Sequence, residues 1–504
     1  MTAPIKLGHF MDASVSTRAE PAPLDHATVR TIIIGIMLAM FLAALDQTIV
    51  ATALPTIGRE LGDLQNISWV VTAYLLSSTA ATPLYGKISD IHGRRTTLLA
   101  AIVIFIIGSI ACALAPSMFA LIVARFVQGL GGGGLISLAQ TITADAVSPK
   151  ERSRYMGYFG IVFALSSVAG PVLGGIISQS VGWAAIFWIN VPLGALAFFM
   201  TYNALKKLPR HERAHKLDYA GAGLLVLAAV LLLLALSWGG VVYPWSSREI
   251  LGLLAGSIVA WVLFAYRLMT APEPFLPLGV LGDRVVASAT LAGFFGIGTM
   301  VGLSIYLPLF FQSVLHMNAA ESGFALIPLS VGTVAGAQTS GFLMARMRHY
   351  KRAPMIGLSI SILAMIALTI TAGELPMFGM EIVLVIVGAG LGTLFPVTVV
   401  AVQNAVAPHH MGTATGTVNF MRALGSAILV ATFGAIFLAG VGATGGVSVE
   451  SLIANAGSSI SLADAFRGIF AAATGCIIIA FILLLFMEER PLRGGERPTT
   501  VVLD

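Results

Sequence analysis

Apolar residues along this chain come in runs of about twenty or more, separated by short polar breaks. A run of that length in an α-helix spans the hydrocarbon core of a bilayer at about 1.5 Å per residue. The pattern predicts fourteen spans, at 32–54, 68–86, 97–115, 119–144, 155–180, 183–204, 219–238, 249–268, 286–313, 322–345, 354–373, 378–400, 411–438 and 463–487. The predicted fold class is an all-α integral membrane protein.

Charge supports the same count. With the N-terminus in the cytoplasm, the inner loops hold Lys87, Arg94 and Arg95, then Lys150, Arg152 and Arg154. They also hold the 206–216 cluster, Arg267 and Arg284, and the basic residues of 346–352, whereas the outer loops hold only Arg59 and Arg248. That asymmetry satisfies the positive-inside rule with both termini cytoplasmic. The inner loop around His409 and His410 carries no Lys or Arg and is the weakest link in the pattern.

The spans fall into a six–two–six order. The expected organisation is a cytoplasmic tail (1–31), a first six-helix bundle (32–204) and a basic linker (205–218). Two additional spans (219–268), a second linker (269–285), a second six-helix bundle (286–487) and a cytoplasmic tail (488–504) follow. Gly86-Lys-Ile-Ser-Asp-Ile-His-Gly-Arg-Arg after span two is echoed by Gly341-Phe-Leu-Met-Ala-Arg-Met-Arg after span ten. Repeated halves around a central cavity are a common plan of secondary transporters.

Composition agrees. Of 504 residues, 57% are apolar and only 10% charged, at a mean hydropathy of +0.92, where a soluble domain carries about 25% charged residues. The net charge of +5 resides in membrane-flanking loops, so it does not indicate nucleic-acid binding. The two cysteines, Cys112 and Cys476, have no metal or redox spacing. No G-x-x-x-x-G-K-[ST] sequence occurs, which argues against an ATP-driven pump. The G-x-G-x-x-G match at Gly129–Gly134 lies inside an apolar span with no preceding strand, so it is not a dinucleotide site.

Charges inside the spans carry the functional reading. Asp46, followed by Gln47 and Thr48, interrupts the first run, where a carboxylate costs about 2.5–3.5 kcal/mol on insertion scales. A mere anchor has no use for it, so Asp46 reads as a functional group; the alternative is an aspartate close enough to the outer end to be solvated. Arg125 in span four, with Gln128, lies at a similar depth. The two are expected to face one cavity and to be coupled directly or through water, either as a proton-exchanging pair or as a permanent structural one. Arg422 is the mid-membrane cation of the second half. Gly86, Asp90, Gly93, Arg94 and Arg95 form a candidate inner-face latch between bundles. Gly170, Pro171, Gly174 and Gly175 are expected to interrupt span five as a bent, closely packed hinge. Gln47, Tyr74, Gln312, Gln338 and Asn419 are candidate cavity-lining residues, with interhelical hydrogen bonding as the alternative for each amide.

The chain resembles the major facilitator superfamily, in its fourteen-helix drug:proton antiporter branch. The resemblance rests on Leu45-Asp46-Gln-Thr-Ile-Val with Ala53-Leu54-Pro55, Gly86…Asp90…Gly93-Arg94-Arg95, and Arg125-Phe-Val-Gln128-Gly129. Gly170-Pro171…Gly174-Gly175 and Phe187-Trp-Ile-Asn190-Val-Pro192-Leu-Gly194 complete it. It implies two six-helix bundles, alternating access and proton-driven export of amphipathic, cationic or neutral compounds across the cytoplasmic membrane. It further implies that Asp46 and Arg125 serve proton and substrate coupling, and Asp90 with Arg94 the latch. Departures are Ile91 after the loop aspartate, Ala184 after Trp183, and Ser166 four residues before Gly170. The expected partners are a small-molecule substrate, protons and lipid, with no nucleic acid, no cofactor, no metal and no enzymatic activity; a monomer is the expected unit. A dedicated exporter of an endogenous metabolite, siderophore or lipid is the alternative on the same mechanism, and a non-transporting receptor on the same scaffold is a third reading.

Overall fold

The structure is a computed structural model. It describes residues 26–492 apart from 64–65, 208–217, 442–458 and positions 241, 277, 348 and 373. The first 25 residues, most of the 205–218 linker and the tail beyond 492 therefore lie outside the described residues.

Fourteen long helices occur among the described residues. In the first half these are α1 (His26–Leu61), α2 (Ser68–His92), α3 (Arg94–Ala113), α4 (Met118–Ala146), α5 (Pro149–Ser180) and α6 (Asn190–Ala204). A central pair follows, α7 (Tyr219–Trp238) and α8 (Arg248–Thr270). The second half comprises α9 (Arg284–Ser313), α10 (Ile327–Arg346), α11 (Arg352–Ile370), α12 (Met377–Ala405), α13 (Met411–Gly440) and α14 (Ser459–Phe486). Twelve helices have the length and apolarity to cross a membrane, the short turn Ala185–Trp188 being counted with α6. The two left out are α2 and α10, which are long enough but less apolar, α2 through its serines, threonines, Lys87 and Asp90, and α10 through its serines, threonines, glycines and Gln338.

The packing repeats. In the first half α1 packs on α4, α5 and α6, α2 on α4, and α3 on α4 and α6. Every one of these pairs recurs eight helices later: α9 on α12, α13 and α14, α10 on α12, and α11 on α12 and α14. Glycines let α4 and α12 approach their neighbours closely. A Cβ at Gly129 or Gly133 of α4 would overlap the α2 backbone, and one at Gly131 the α3 backbone. In α12, Gly388 and Gly392 meet α10 in the same way, and Gly390 meets α11. The Gly129–Gly134 run is thus a packing surface, the small-residue contact that lets membrane helices approach closely.

The halves meet along two seams, α2 against α13 and α5 against α10. The seams are equivalent under the repeat. Gly86 lies against the carbonyl of Gly412, and Gly341 against that of Ser153; neither position has room for a Cβ. Both contacts lie at the end of the bundle that carries the basic loops, so the halves are closed together there. The central pair breaks the symmetry. α7 and α8 pack on each other, and α7 covers the α2–α13 seam through contacts that include Trp69 on Trp238, while Trp261 of α8 meets Phe420.

Candidate functional site

Two clusters of buried, paired charges stand out among the described residues. The deeper one gathers side chains from four helices of the first half around Asp46. Arg125 Nη1 donates to Asp46 Oδ2 at 2.6 Å, and Asn190 Nδ2 and Gln128 Nε2 donate to Asp46 Oδ1 at 2.9 and 2.8 Å. Arg125 Nη1 also reaches Gln128 Oε1 at 2.6 Å, and its Nε donates to the Val70 carbonyl at 3.0 Å. Gln128 Nε2 and Asn190 Nδ2 both reach Ser109 Oγ. The Tyr74 ring lies under the Arg125 guanidinium at 4.3 Å, within cation–π range. Asp46 is 0% and Arg125 1% exposed.

Arg125 and Gln128 share one face of α4, three residues apart, which is why one turn of helix can hold both ends of the carboxylate. The pair expected from depth is therefore in direct contact. It is enclosed within the first half in this conformation, not set on an open cavity wall. Asn190 and Ser109 were not singled out as site residues. Asn190 left a signal, an amide inside the sixth apolar run; a single serine on α3 leaves none. Cys112 is buried beside the cluster with Sγ 3.5 Å from Gln128 Oε1.

The second cluster joins the halves. Asp90, near the end of α2, accepts from the Gly412 amide at 2.9 Å, the Thr413 amide at 2.7 Å and Thr413 Oγ1 at 2.6 Å. Arg94 Nη1 donates to Asp90 Oδ1 at 2.5 Å and to Ser89 Oγ at 2.8 Å, and its Nε donates to Asp145 Oδ2 at 2.7 Å. Asp90 thus caps the N-terminus of α13, where backbone donors and the helix dipole favour a carboxylate. No side chain caps α13 from its own N-cap, His410. The equivalent helix at the other seam, α5, is capped from its own chain by Ser148 and Glu151, and Ala345 stands four residues after Gly341 where Asp90 follows Gly86. Among the described residues, a carboxylate of one half caps a helix of the other at one seam only. Gly93, at φ +86°, makes the turn that places Arg94 against Asp90. Arg95 leaves the cluster, donating to the Tyr202 carbonyl at 2.9 Å with its guanidinium over the Tyr202 ring. Asp145, Gly412 and Thr413 are participants that sequence reading missed.

The remaining candidates divide. α5 runs unbroken through position 171, so the expected interruption of that span is absent. Its glycines instead seat α5 on α1 beside Asp46: a Cβ at Gly170 would overlap Thr48, and one at Gly174 would overlap Thr52 Oγ1 and the Ile49 carbonyl. Thr48 Oγ1 donates to the Ser166 carbonyl at 2.9 Å across the same contact. Gly175 has nothing within 4 Å of its added Cβ and does not belong to this contact. G170V is expected to lower transport at least about tenfold by forcing α1 and α5 apart, since overpacking costs about 1–3 kcal/mol or more. G175A is expected to stay within about twofold of the parent, both read as initial rates per inserted protein; equal losses would refute the distinction.

Asn419 Nδ2 donates to Gln140 Oε1 at 2.8 Å, and Gln403 Nε2 donates to the Gln140 carbonyl and to Thr415 Oγ1, an amide cluster that also crosses between halves. Gln338 faces Gly157 of α5 at the second seam. Gln312 is exposed and donates to Ser322 Oγ at 3.0 Å, and Gln47 is exposed one residue beyond the buried Asp46. Arg422 is buried in the second half, with Nη2 donating to Thr398 Oγ1 at 2.5 Å and to the Phe395 carbonyl at 3.1 Å.

The model of the Major Facilitator Superfamily matches residues 36–430. The chain belongs to that superfamily. Multidrug resistance protein 3 of Bacillus subtilis (strain 168) is 35% identical over 410 residues, covering 81% of this chain and 80% of that protein. Multidrug transporter protein MdtP of the same organism is 33% identical over 408 residues, covering 81% and 75%. Among solved structures, the human organic anion transporter MFSD10 (TETRAN) superposes with a TM-score of 0.63 at 19% identity, covering 90% of this chain and 99% of that one. The proton:xylose symporter XylE gives 0.63 at 14% identity over 93% and 98%. These structural likenesses concern the fold. Membership makes the chain a multi-pass membrane transporter of small molecules and not an enzyme.

Proposed function

We propose that this superfamily member is a proton-coupled antiporter of the fourteen-helix branch that exports amphipathic organic compounds across the cytoplasmic membrane by alternating access. The observation that carries the proposal is the Asp46 carboxylate, fully buried and held by Arg125, Gln128 and Asn190. An intramembrane carboxylate with a dedicated set of donors is the expected form of a proton-relay group. The printed names of the relatives, a multidrug resistance protein and a multidrug transporter, favour efflux of many compounds. Fourteen crossings are favoured because α2 and α10, the two less apolar helices, form the seams between halves and are shielded there by other helices. With both termini cytoplasmic, the closed basic end is the inner face.

The mechanism follows from which contacts lie within a half and which between halves. All donors to Asp46 come from the first half, so rocking the halves as rigid bodies neither makes nor breaks the pair. Protonation of Asp46 must act by releasing α1 within that half. α1 carries Asp46 and packs on α5 through Thr48, Thr52, Gly170 and Gly174, and α5 forms the second seam at Ser153 and Gly157 against Gly341 and Gln338. A shift of α1 therefore reaches the seam through one intervening helix. On the other seam, Asp90 leaves the α13 amides when the inner face opens. The test is substrate-driven proton movement in proteoliposomes that hold a pH-sensitive dye, with a panel of cationic, neutral and anionic amphipathic compounds. Export of any of them is expected to move protons the opposite way; a gradient that dissipates with no proton movement contradicts antiport. Broad, weak competition across the panel supports multidrug efflux, and one tight ligand supports the dedicated exporter.

A further inference from the structure

The membrane interior holds two buried arginines of different standing. Arg125 is neutralised by Asp46 and uses both Nη1 and Nε. Arg422 of α13 is 4% exposed, and among the described residues it is the one buried charged side chain of α9–α14. Its Nη2 is used by Thr398 and Phe395, but among the described residues Nε and Nη1 have no acceptor, and no carboxylate acts on it. Thr398 Oγ1 already donates to the Leu394 carbonyl, so it offers Arg422 a dipole and no charge. Gly293 of α9 faces Nε, at 3.3 Å from where a Cβ would stand, and supplies backbone alone. A buried cation without a counter-ion is among the most costly arrangements in a membrane protein. The face of Phe395 offsets part of this, at 4.6 Å from the guanidinium carbon.

The place of this cation is informative. Phe395 also meets Phe163 of α5 edge-on at 6.1 Å, across the division between the halves. Arg422 therefore sits at the boundary that alternating access opens and closes, next to an aromatic pair contributed by both halves. Asn419, one helical turn away, reaches across the same boundary to Gln140.

Resting on the export reading above, and narrowing its substrate class, we propose that Arg422 is the counter-ion for an anionic group on the transported compound. The Phe395–Phe163 pair would take the adjoining aromatic body. This departs from the cationic or neutral substrates expected from sequence. With Asp46 and Arg125 already compensating each other, the fixed charge left on the path is positive. It repels organic cations and favours carboxylates, sulfonates or phenolates. The direction of transport is consistent: export of an anion and entry of a proton both run with an inside-negative potential.

The test is isothermal titration calorimetry of the full chain in lipid nanodiscs with three probes of one shape: phenylacetate, phenylacetamide and phenethylamine. The parent is expected to bind the carboxylate at least about tenfold more tightly than the amide, and the amine most weakly. R422Q is expected to bring carboxylate and amide within about twofold of each other, with R422K between the two. A parent that binds the carboxylate no better than its amide, or prefers the amine, overturns the proposal even if R422Q fails to fold. So does an R422Q variant that keeps the carboxylate preference. No gradient enters the assay, so a failure of proton coupling leaves its outcome unchanged, and a failure here leaves proton coupling standing.

Discussion

D90N is expected to shift the protein toward the state open at its basic end and to slow transport at least about tenfold. Asp90 is the acceptor for two α13 backbone amides, the Thr413 hydroxyl and Arg94. Asparagine keeps one acceptor and turns an amide donor toward groups that are all donors. Charge-assisted bonds of this kind contribute about 1.5–3 kcal/mol each, and an unsatisfied buried donor costs about 1–3 kcal/mol. A net loss of about 2–4 kcal/mol is enough to move a two-state equilibrium by one to three orders of magnitude. The loss falls on one conformation only, because the α13 amides meet water once the seam opens. Arg94 keeps Asp145 as a partner, so the first half should stay folded. Spin labels at the exposed positions His92 and Pro408 read the seam directly. The parent should show mainly a short distance and D90N a longer one; an unchanged distance distribution would show that the cap does not hold the halves together. The analogous change at the other seam has no counterpart, since Ala345 occupies that place.

D46N is expected to abolish substrate-driven proton movement and to destabilise the first half. Three donors converge on Asp46, and removing its charge strands Arg125 at 1% exposure. Breaking a buried pair from one side costs about 3–5 kcal/mol. Lower thermal stability is therefore part of the prediction, and it must be separated from loss of coupling. The double variant D46N/R125M does this. It removes both charges, so no buried cation is left without its partner, which is the main cost of the single variant. Stability should recover toward that of the parent while proton movement stays absent. If the double variant still exchanged protons for substrate, the relay would lie elsewhere. If stability failed to recover, Arg125 would hold the fold through the Val70 carbonyl and the Tyr74 face more than through Asp46.

The helices were legible because a bilayer imposes one length scale and one polarity on every span. The polar pairings were partly legible. Asp46 and Arg125 could be matched by depth along their own helices, since each residue adds a fixed rise. Their enclosure could not, because it depends on how α3 and α6 close around them. Asn190 and Ser109 complete the cluster through tertiary packing; Asn190 is at least an amide inside an apolar run, whereas nothing local on α3 announces Ser109. The latch shows the same division. Gly86, Asp90 and Arg94 carry a readable pattern, but the donors that Asp90 accepts from across the seam lie about 320 residues away, in the first turn of α13. One clue was present: the inner loop at His409 and His410 was the single basic-poor loop, and it leads into the helix end that receives Asp90. The repeat was legible at Gly86 and Gly341 but was missed at Gly129, Gly131 and Gly133 against Gly388, Gly390 and Gly392. There a chance resemblance to a dinucleotide motif drew attention from the spacing. Pro171 is a different case: a proline lacks a donor, yet neighbouring helices in a membrane can support a continuous helix through it, and α5 stays helical through position 171 while Gly170 and Gly174 do the packing.

The central claim is that Asp46 changes its protonation state as the protein changes the side to which it opens. Infrared difference spectra of the purified chain, taken with the basic end closed and then opened by D90N, test it most directly. A protonated-carboxyl band is expected to appear on opening and to be missing from the D46N/D90N double variant. A spectrum with no such band, or one that survives the loss of Asp46, would contradict it.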